Sequence, residues 1–212
     1  MRFTFLLLSL LISQNTFAST LKLDYSLFFG YMKTMYKLDY PDVTTAFYLV
    51  DPTTGNNCTI ESAEIVVDNV REKIDFQAQG RLLPFYSNDH RKDGATLQVK
   101  TSTVQSCALQ VTIMVKESHL TSLNVEKLTT ISAQLEGLLR KNAGMIGKYF
   151  LPTFQGLRFK LASPMAPTEQ LDPNYQLANN GDLLITNEVL QGTKPSTLLP
   201  YKVLRITPWI VK

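Results

Sequence analysis

The chain of 212 residues has few of the side chains from which catalytic and metal sites are built: two cysteines, two histidines and one tryptophan. Its formal charge is only +3, from 21 Lys and Arg against 18 Asp and Glu. Nucleic-acid-binding proteins carry a concentrated basic surface, so we expect no nucleic acid partner. Glycine and proline occur ten times each, which excludes a collagen-like chain.

The short motifs of the common enzyme classes are also missing. The sequence contains no H-E-x-x-H, no G-x-S-x-G, no G-x-x-x-x-G-K-[ST] and no G-x-G-x-x-G. Glu61, Glu64 and Asp68 supply carboxylates near a predicted strand, but a spacing of three places Glu61 and Glu64 on opposite faces of it. We therefore predict no catalytic residues.

The two histidines lie in separate settings. His90 stands between Asp89 and Asp93 in a charged segment that we expect to be an exposed loop. The two basic residues that follow His90 oppose a bound cation, so we expect no metal there. We expect His119 to be a solvated residue between a strand and a helix. The sequence thus predicts no metal site and no cofactor.

What the sequence does have is an N-terminal export signal. Met1 and Arg2 precede an apolar run from Phe3 to Ile12, and Thr16-Phe17-Ala18 ends in the small residue that a signal peptidase reads. The run is shorter than the ~20 residues of a membrane-spanning helix. We predict a signal peptide over residues 1–18 and an exported protein without a transmembrane segment after cleavage.

Export gives the two cysteines a structural role. Cys58 is in phase with Ile60, and Cys107 is in phase with Leu109, so both side chains point to the buried face if these segments are strands. In an oxidising compartment such a pair persists as a disulfide, which we predict between Cys58 and Cys107. A nucleophilic cysteine beside a histidine is the alternative, and it requires a free thiolate.

The segment from Asp24 to Leu38 has the apolar spacing of a helix with two adjoining stripes. One stripe consists of Leu27, Phe28, Tyr31, Met35 and Leu38, and the other of Tyr25, Phe29, Met32 and Tyr36. Together they cover about twice the ~100° of an ordinary surface helix. Either other elements cover the helix on two sides, or the second stripe is exposed and binds a partner. In the second case Tyr25, Phe29, Met32 and Tyr36 are the candidate binding residues.

Further along the chain the apolar period changes to two, which predicts strands. The predicted strands are Thr44 to Val50, Cys58 to Val67, Lys73 to Ala78, Ala95 to Lys100, Cys107 to Val115 and Leu157 to Leu161. A second amphipathic helix is predicted to begin near Asn124, its N-cap, and to end before Gly144. Because no helix separates the first five strands, we predict an α+β fold with an antiparallel β-rich body, a sheet or a sandwich, over residues 19–161.

Residues 162–212 form a different region, because five of the ten prolines lie between Ala162 and Pro200. We predict an irregular, Pro-rich extension, either ordered or mobile. Within it, Leu183 to Ile185 and Glu188 to Leu190 are predicted short strands, and Val203 to Ile206 is a predicted edge strand that returns to the body.

Several landmarks have the order found in a known group of proteins. They are Asp24-Tyr25 with Lys33, Cys58-x-Ile60, Leu83-Pro84-Phe85, Cys107-x-Leu109-x-Val111, and Leu151-Pro152 followed by Gly156-Leu157-x-Phe159. Over Leu21 to Leu161 the chain resembles an uncharacterised, exported family of Gram-negative bacteria, a domain of unknown function. The resemblance implies a periplasmic address and supplies no catalytic residues.

Two hypotheses of function follow. The first is a non-enzymatic periplasmic binding or interaction module of the cell envelope, whose aromatic helix binds an envelope protein, a peptide or a glycan. The alternative is a periplasmic hydrolase that acts on a cell-wall or polysaccharide substrate. The hydrolase requires a concave pocket with convergent polar groups.

Overall fold

The computed structural model describes residues 19–102, 106–121, 123–147, 151–163, 174–194, 196–198 and 201–211. The predicted leader, residues 1–18, lies outside the described residues, as do the five prolines of the extension. The fold is α+β and rich in strands, as the sequence predicts. Among the described residues, no helix combines the length and the hydropathy that a bilayer crossing requires.

The described residues form twelve strands and four α-helices. The strands are β1 Ser19–Asp24, β2 Val43–Val50, β3 Ile60–Val67, β4 Val70–Lys73, β5 Asp75–Gln77, β6 Arg81–Leu83, β7 Thr96–Thr101, β8 Ala108–Val115, β9 Thr153–Leu161, β10 Gln176–Leu177, β11 Leu183–Thr186 and β12 Val203–Val211. The helices are α1 Ser26–Leu38, α2 Asn88–Lys92, α3 Val125–Gly147 and α4 Asn187–Gly192. A 3-10 helix, Glu117–His119, follows β8.

The strands form three antiparallel sheets of four strands each within the described ranges. The strand orders are β1-β7-β3-β4 in the first sheet, β5-β6-β2-β8 in the second and β10-β11-β9-β12 in the third. In the second sheet, β2 and β8 pair along their whole length, from Val43 opposite Val115 to Val50 opposite Ala108. This ladder of eight residue pairs is the longest strand pairing in the second sheet.

Strand β1 is absent from the sequence prediction, which starts its first helix at Asp24. Leu21 and Leu23 alternate with polar residues and pair with Val99 and Leu97 of β7. An alternation that contains only two apolar residues is too short to predict a strand from the sequence. The segment is extended because it pairs with β7. Helix α1 starts at Ser26, and hydrogen bonds from Ser26 lower the pKa of the Asp24 carboxyl.

The predicted strand from Lys73 to Ala78 is wrong as one element. The chain leaves the first sheet after β4 and enters the second sheet at β5, and the buried Ile74 lies between them. A period of two therefore continues through a point where the chain changes sheets, and sequence periodicity alone does not reveal the change.

Two large hydrophobic clusters lie inside the protein. The N-terminal cluster joins α1 to the first two sheets, and its buried residues are Tyr25, Phe28, Phe29, Met32, Phe47, Leu49, Cys58, Ile60, Ala63, Ile65, Ile74, Leu82, Ala95, Leu97 and Val99. The C-terminal cluster joins α3 and α4 to the third sheet, and its buried residues are Val43, Val115, Leu123, Val125, Leu128, Ile131, Leu135, Leu138, Leu157, Phe159, Leu161, Leu183, Ile185, Leu190, Val203 and Ile206.

Helix α1 contacts both clusters, which explains its wide apolar surface. Phe28, Phe29 and Met32 are buried in the N-terminal cluster. Met35 and Leu38, one and two turns further on, pack against the C-terminal cluster. The helix is therefore covered on two sides, the first of the two alternatives that the sequence leaves open.

Helix α3 begins where the sequence predicts, but it extends to Gly147, past the predicted end before Gly144. The Asn124 side chain accepts a hydrogen bond from the Lys127 N–H at 2.8 Å, so Asn124 is the N-cap. Gly144 has φ 69° and ψ −170°, which interrupts the helical backbone. Leu128, Ile131, Leu135 and Leu138 are buried along one face, as a normal core helix requires.

After Ala162 the described chain is more regular than its prolines suggest. Strands β11 and β12 flank β9 on its two sides and complete the third sheet. The predicted strand from Glu188 to Leu190 is wrong, because these residues lie in α4. The Thr186 hydroxyl accepts from the Val189 N–H at 3.2 Å and caps that helix, a local signal that the short apolar run conceals.

The predicted disulfide is confirmed: the sulfur atoms of Cys58 and Cys107 are bonded, and their Cα atoms are 6.4 Å apart. Cys58 precedes β3 of the first sheet, and Cys107 precedes β8 of the second. The bond therefore ties two sheets together across a sequence separation of 49 residues. Closing a loop of that length restricts the unfolded chain far more than the folded one.

Replacing both cysteines, Cys58→Ala with Cys107→Ala, should lower the free energy of unfolding by about 4 kcal/mol, the loop-closure value for this separation. Urea denaturation of the oxidised wild type and of the double variant measures the difference. Wild type in a reducing agent is the control and should match the double variant. Equal stability of the variant and the oxidised wild type would show that the bond adds nothing.

Candidate ligand-binding cleft

An open cleft of about 300 Å³ lies beside the C-terminal half of α1, between the two hydrophobic clusters. Its volume is at the lower end of the ~300–1,000 Å³ typical of ligand pockets. Apolar side chains dominate the walls. The lining residues are Met32, Met35, Tyr36, Leu38, Asp39, Tyr40, Val43, Pro84, Tyr86, Lys116 and Leu138.

The Met35 side chain is held in the wall of the cleft by its sulfur atom. Met35 Sδ accepts a hydrogen bond from the Thr45 N–H of β2, with an N···S distance of 2.9 Å. Sulfur is a weak acceptor and methionine is otherwise flexible. This contact therefore gives α1 a defined position against β2 at the cleft.

A glycine lets α3 approach the cleft closely. A Cβ atom at Gly137 would lie only 2.6 Å from the Tyr40 hydroxyl oxygen. Glycine inside a helix costs roughly 0.5–1 kcal/mol relative to alanine, and here it leaves room for the Tyr40 ring. The neighbouring Leu138 is buried and forms part of the cleft wall.

Three aromatic rings stack at the edge of the cleft, and we call Phe29, Tyr86 and Tyr36 the aromatic stack. The Tyr86 ring lies between the other two, with centroid distances of 5.1 Å to Phe29 and 5.4 Å to Tyr36. The interplanar angles are 20° and 12°. Phe29 is buried, whereas Tyr36 is 74% exposed. The aromatic stack thus extends from the core to the solvent.

Tyr25 fixes the segment that carries Tyr86. Its ring is fully buried, and its hydroxyl donates to the Phe85 carbonyl and accepts from the Ser87 N–H, both at 2.8 Å. Burial raises the pKa of the Tyr25 hydroxyl. Two backbone groups on either side of Tyr86 are therefore held by one buried phenol, so the middle ring of the aromatic stack has a fixed support.

Lys116 brings a positive charge to the apolar cleft. Its Nζ donates to the Tyr40 carbonyl at 3.1 Å, and the residue is half-buried. Within the described ranges, no carboxylate lies within 4.0 Å of this Nζ. Asp39, the other charged residue of the lining, is exposed at the C-terminal end of α1.

A polar network fixes the turn between α1 and β2. Asp42 Oδ1 lies 2.7 Å from His119 Nδ1, and its Oδ2 accepts from Gln134 Nε2 at 2.9 Å. The Asp42 N–H donates back to Gln134 Oε1 at 3.1 Å. Both carboxylate oxygens are therefore engaged, and the network links the turn to α3 and to the segment after β8.

The alternative of an exposed second stripe does not hold for three of its four residues. Tyr25, Phe29 and Met32 are 0%, 7% and 6% exposed, because α1 packs against the first two sheets. Tyr36 is the exposed member. Of the four, Met32 and Tyr36 line the cleft, whereas Tyr25 and Phe29 lie behind it. Leu27, assigned to the other stripe, is exposed instead.

Sequence reasoning missed Tyr40, Tyr86 and Lys116 as lining residues. Tyr86 follows the apolar stretch Leu83-Pro84-Phe85 and precedes a charged turn. This change from apolar to charged residues was the one sequence feature that could have indicated a lining residue here. Lys116 follows the clearest alternating strand and gave no signal of its own. These residues meet α1 through the tertiary fold, which a pattern within one segment does not contain.

Both histidines differ from expectation. The segment around His90 is helical, since the Ser87 hydroxyl caps α2 by accepting from the His90 N–H at 3.2 Å. The His90 ring packs edge-on against Tyr25. His119 is half-buried against Asp42 rather than solvated. Within the part of the chain that the structure describes, no three His, Cys, Asp or Glu side chains group as a metal site.

These features define a β-rich, disulfide-linked α+β protein with a small aromatic cleft. The family model described as a protein of unknown function, DUF2987, matches residues 17–161, and the chain belongs to that family. The match contains both cysteines and every residue that lines the cleft. No curated protein and no solved structure gave a significant match.

Replacing Tyr25 by phenylalanine should lower the free energy of unfolding by about 1–2 kcal/mol at neutral pH, because the Phe85 carbonyl and the Ser87 N–H both lose their partner. Urea denaturation measures this loss. Tyr36→Phe alters an exposed hydroxyl on the same helix and should change the stability little. A Tyr25→Phe protein as stable as wild type would show that the two bonds do not hold the segment.

The loss should shrink at high pH. The pKa of Tyr25 in the folded protein is above the ordinary 10.0, so the unfolded chain releases this proton first and wild type loses stability as the pH rises past 10.0. The phenylalanine variant lacks that contribution. Denaturation at about pH 8 and about pH 10.5 should therefore show a smaller difference at the higher pH, and an unchanged difference would contradict the raised pKa.

Proposed function

We propose that the protein is a non-enzymatic binding module of the periplasm, and that its ligand seats in the cleft beside α1. The observation that carries the proposal is the aromatic stack, which ends in the exposed Tyr36 ring at the edge of an apolar concavity. Tyrosines of this kind supply much of the binding energy at protein surfaces, since a rigid ring gains contact area at a small entropic cost.

The contacts that hold the aromatic stack and Met35 in place favour a role in binding. Tyr86 is held between two rings and is flanked by the Tyr25 hydrogen bonds, and Met35 is fixed by its contact with Thr45. Because these side chains are already fixed, a ligand does not have to immobilise them when it binds. Such preorganisation lowers the entropic cost of association.

Two observations support the periplasmic address. The disulfide between Cys58 and Cys107 is a bond that persists in oxidising compartments, and the first 18 residues have the pattern of a signal peptide. In that compartment the ligand would be an envelope protein, a peptide or a glycan. The cleft volume fits one side chain or one sugar ring rather than a larger body.

The alternative, a hydrolase acting on a cell-wall or polysaccharide substrate, needs an acid and a base that face the cleft. Asp39 and Lys116 line the cleft, but Lys116 donates to the Tyr40 carbonyl and Asp39 is exposed at the end of α1. The hydrogen-bonded pair Asp42 and His119 is not part of the lining. Asp42 already makes hydrogen bonds through both carboxylate oxygens, so it serves the turn between α1 and β2. The geometry therefore favours binding over hydrolysis.

Tyr36→Ala should weaken binding of envelope components at least about tenfold, because it removes the exposed ring of the aromatic stack. The measurement is capture from envelope extracts by processed, disulfide-bonded protein, followed by titration of each captured component. Leu27→Ala is the matched control, since Leu27 is exposed on the same helix and does not line the cleft. Components that bind Tyr36→Ala as tightly as wild type would refute the proposal.

A further inference from the structure

The cleft pairs an apolar wall with a single half-buried cation. The Lys116 ammonium donates to the Tyr40 carbonyl, and no carboxylate of the described residues lies within 4.0 Å of it. An ammonium has three N–H donors, so two are not accounted for by Tyr40. A charge that is partly removed from water is stabilised by an opposite charge, and the cleft wall supplies none at this distance.

We infer that the ligand of the cleft is a carboxylate joined to a short apolar body, with the carboxylate on Lys116 and the apolar body along Met32, Met35 and Leu138. This inference rests on the proposed function, because it names the ligand class of the same cleft. A carboxylate accepts two hydrogen bonds from an ammonium and forms a charge-assisted pair with it. The apolar body gains from the removal of its surface from water against these three side chains.

The size of the cleft limits the apolar body. A volume of about 300 Å³ holds roughly ten non-hydrogen atoms at ~30 Å³ each, the share of one water molecule in the liquid. Octanoate has that size and carries one carboxylate at its end. For so small a ligand we expect a dissociation constant between about 1 µM and 1 mM.

Other charged groups near the cleft act against an anion, which makes the test informative. Asp39 lines the cleft, and the C-terminal end of α1 presents its carbonyl groups there. Both would favour a cation instead. The preference for an anion therefore depends on Lys116, and octylamine and octanol distinguish the charge of the head group from the contact of the chain.

The experiment is calorimetric titration of processed, disulfide-bonded protein with octanoate, octanol and octylamine. Wild type should bind octanoate at least about tenfold more tightly than octanol. Lys116→Gln keeps a donor for the Tyr40 carbonyl but loses the charge, so it should abolish this preference by weakening octanoate binding much more than octanol binding. Lys116→Arg should restore the preference for octanoate.

Lys37→Gln is the matched control, because Lys37 is an exposed cation in the last turn of α1 and does not line the cleft. It should bind octanoate within about twofold of wild type. An equal loss in Lys37→Gln and Lys116→Gln would mean that only net charge matters, and the inference would fall. Tighter binding of octylamine than of octanoate, or no binding of octanoate, would also overturn it.

The carboxylate has two sources, a free medium-chain acid or the C-terminal residue of a peptide. N-acetyl-leucine represents the second source, and its amide derivative lacks the charge. A preference for either acid that depends on Lys116 supports the shared chemistry, and the tighter of the two identifies the source. If envelope binding depends on Tyr36 while no acid depends on Lys116, the proposed function stands and this inference is wrong.

Discussion

The pairing of β2 with β8 is the constraint on which the rest of the structure depends. At one end of this ladder Val43 and Val115 belong to the C-terminal cluster, and towards the other end Phe47 and Leu49 belong to the N-terminal cluster. One continuous set of backbone hydrogen bonds therefore runs through both clusters. Because a slip by one residue would turn every side chain of β2 to the opposite face, the register of this ladder fixes both clusters at once.

The cleft is a consequence of that arrangement. Helix α1 extends from one cluster to the other. Its last turns line the cleft between them, where side chains of the two clusters do not fill the space. Two side-chain anchors position the walls: Tyr25 holds the segment with Tyr86, and Asp42 holds the turn that leads from Tyr40 into β2. Both anchors are hydrogen-bonded polar side chains away from bulk water, Tyr25 fully buried and Asp42 half-buried, where hydrogen bonds are stronger than in water.

The sequence predicts those elements whose signal is long and local. The alternation before Val115 and the cap at Asn124 are such signals, and the structure confirms both. Short strands such as β1 were missed, because their conformation comes from the neighbouring strand. Of the residues that line the cleft, the sequence names Met32 and Tyr36 as candidate binding residues but not Tyr86 or Lys116, which meet α1 only in the folded chain. Likewise, the sequence predicts the wide apolar surface of α1, but it does not predict which side of the helix other elements cover.

The third sheet depends on chain that lies beyond the residues matched by the family model. The family match stops at residue 161, the last residue of β9, whereas both neighbours of β9 come from the chain after that point. A protein cut at this boundary would leave two open strand edges and uncover Leu157 and Phe159, which invites aggregation. In this chain the residues after 161 therefore complete the sheet to which β9 belongs.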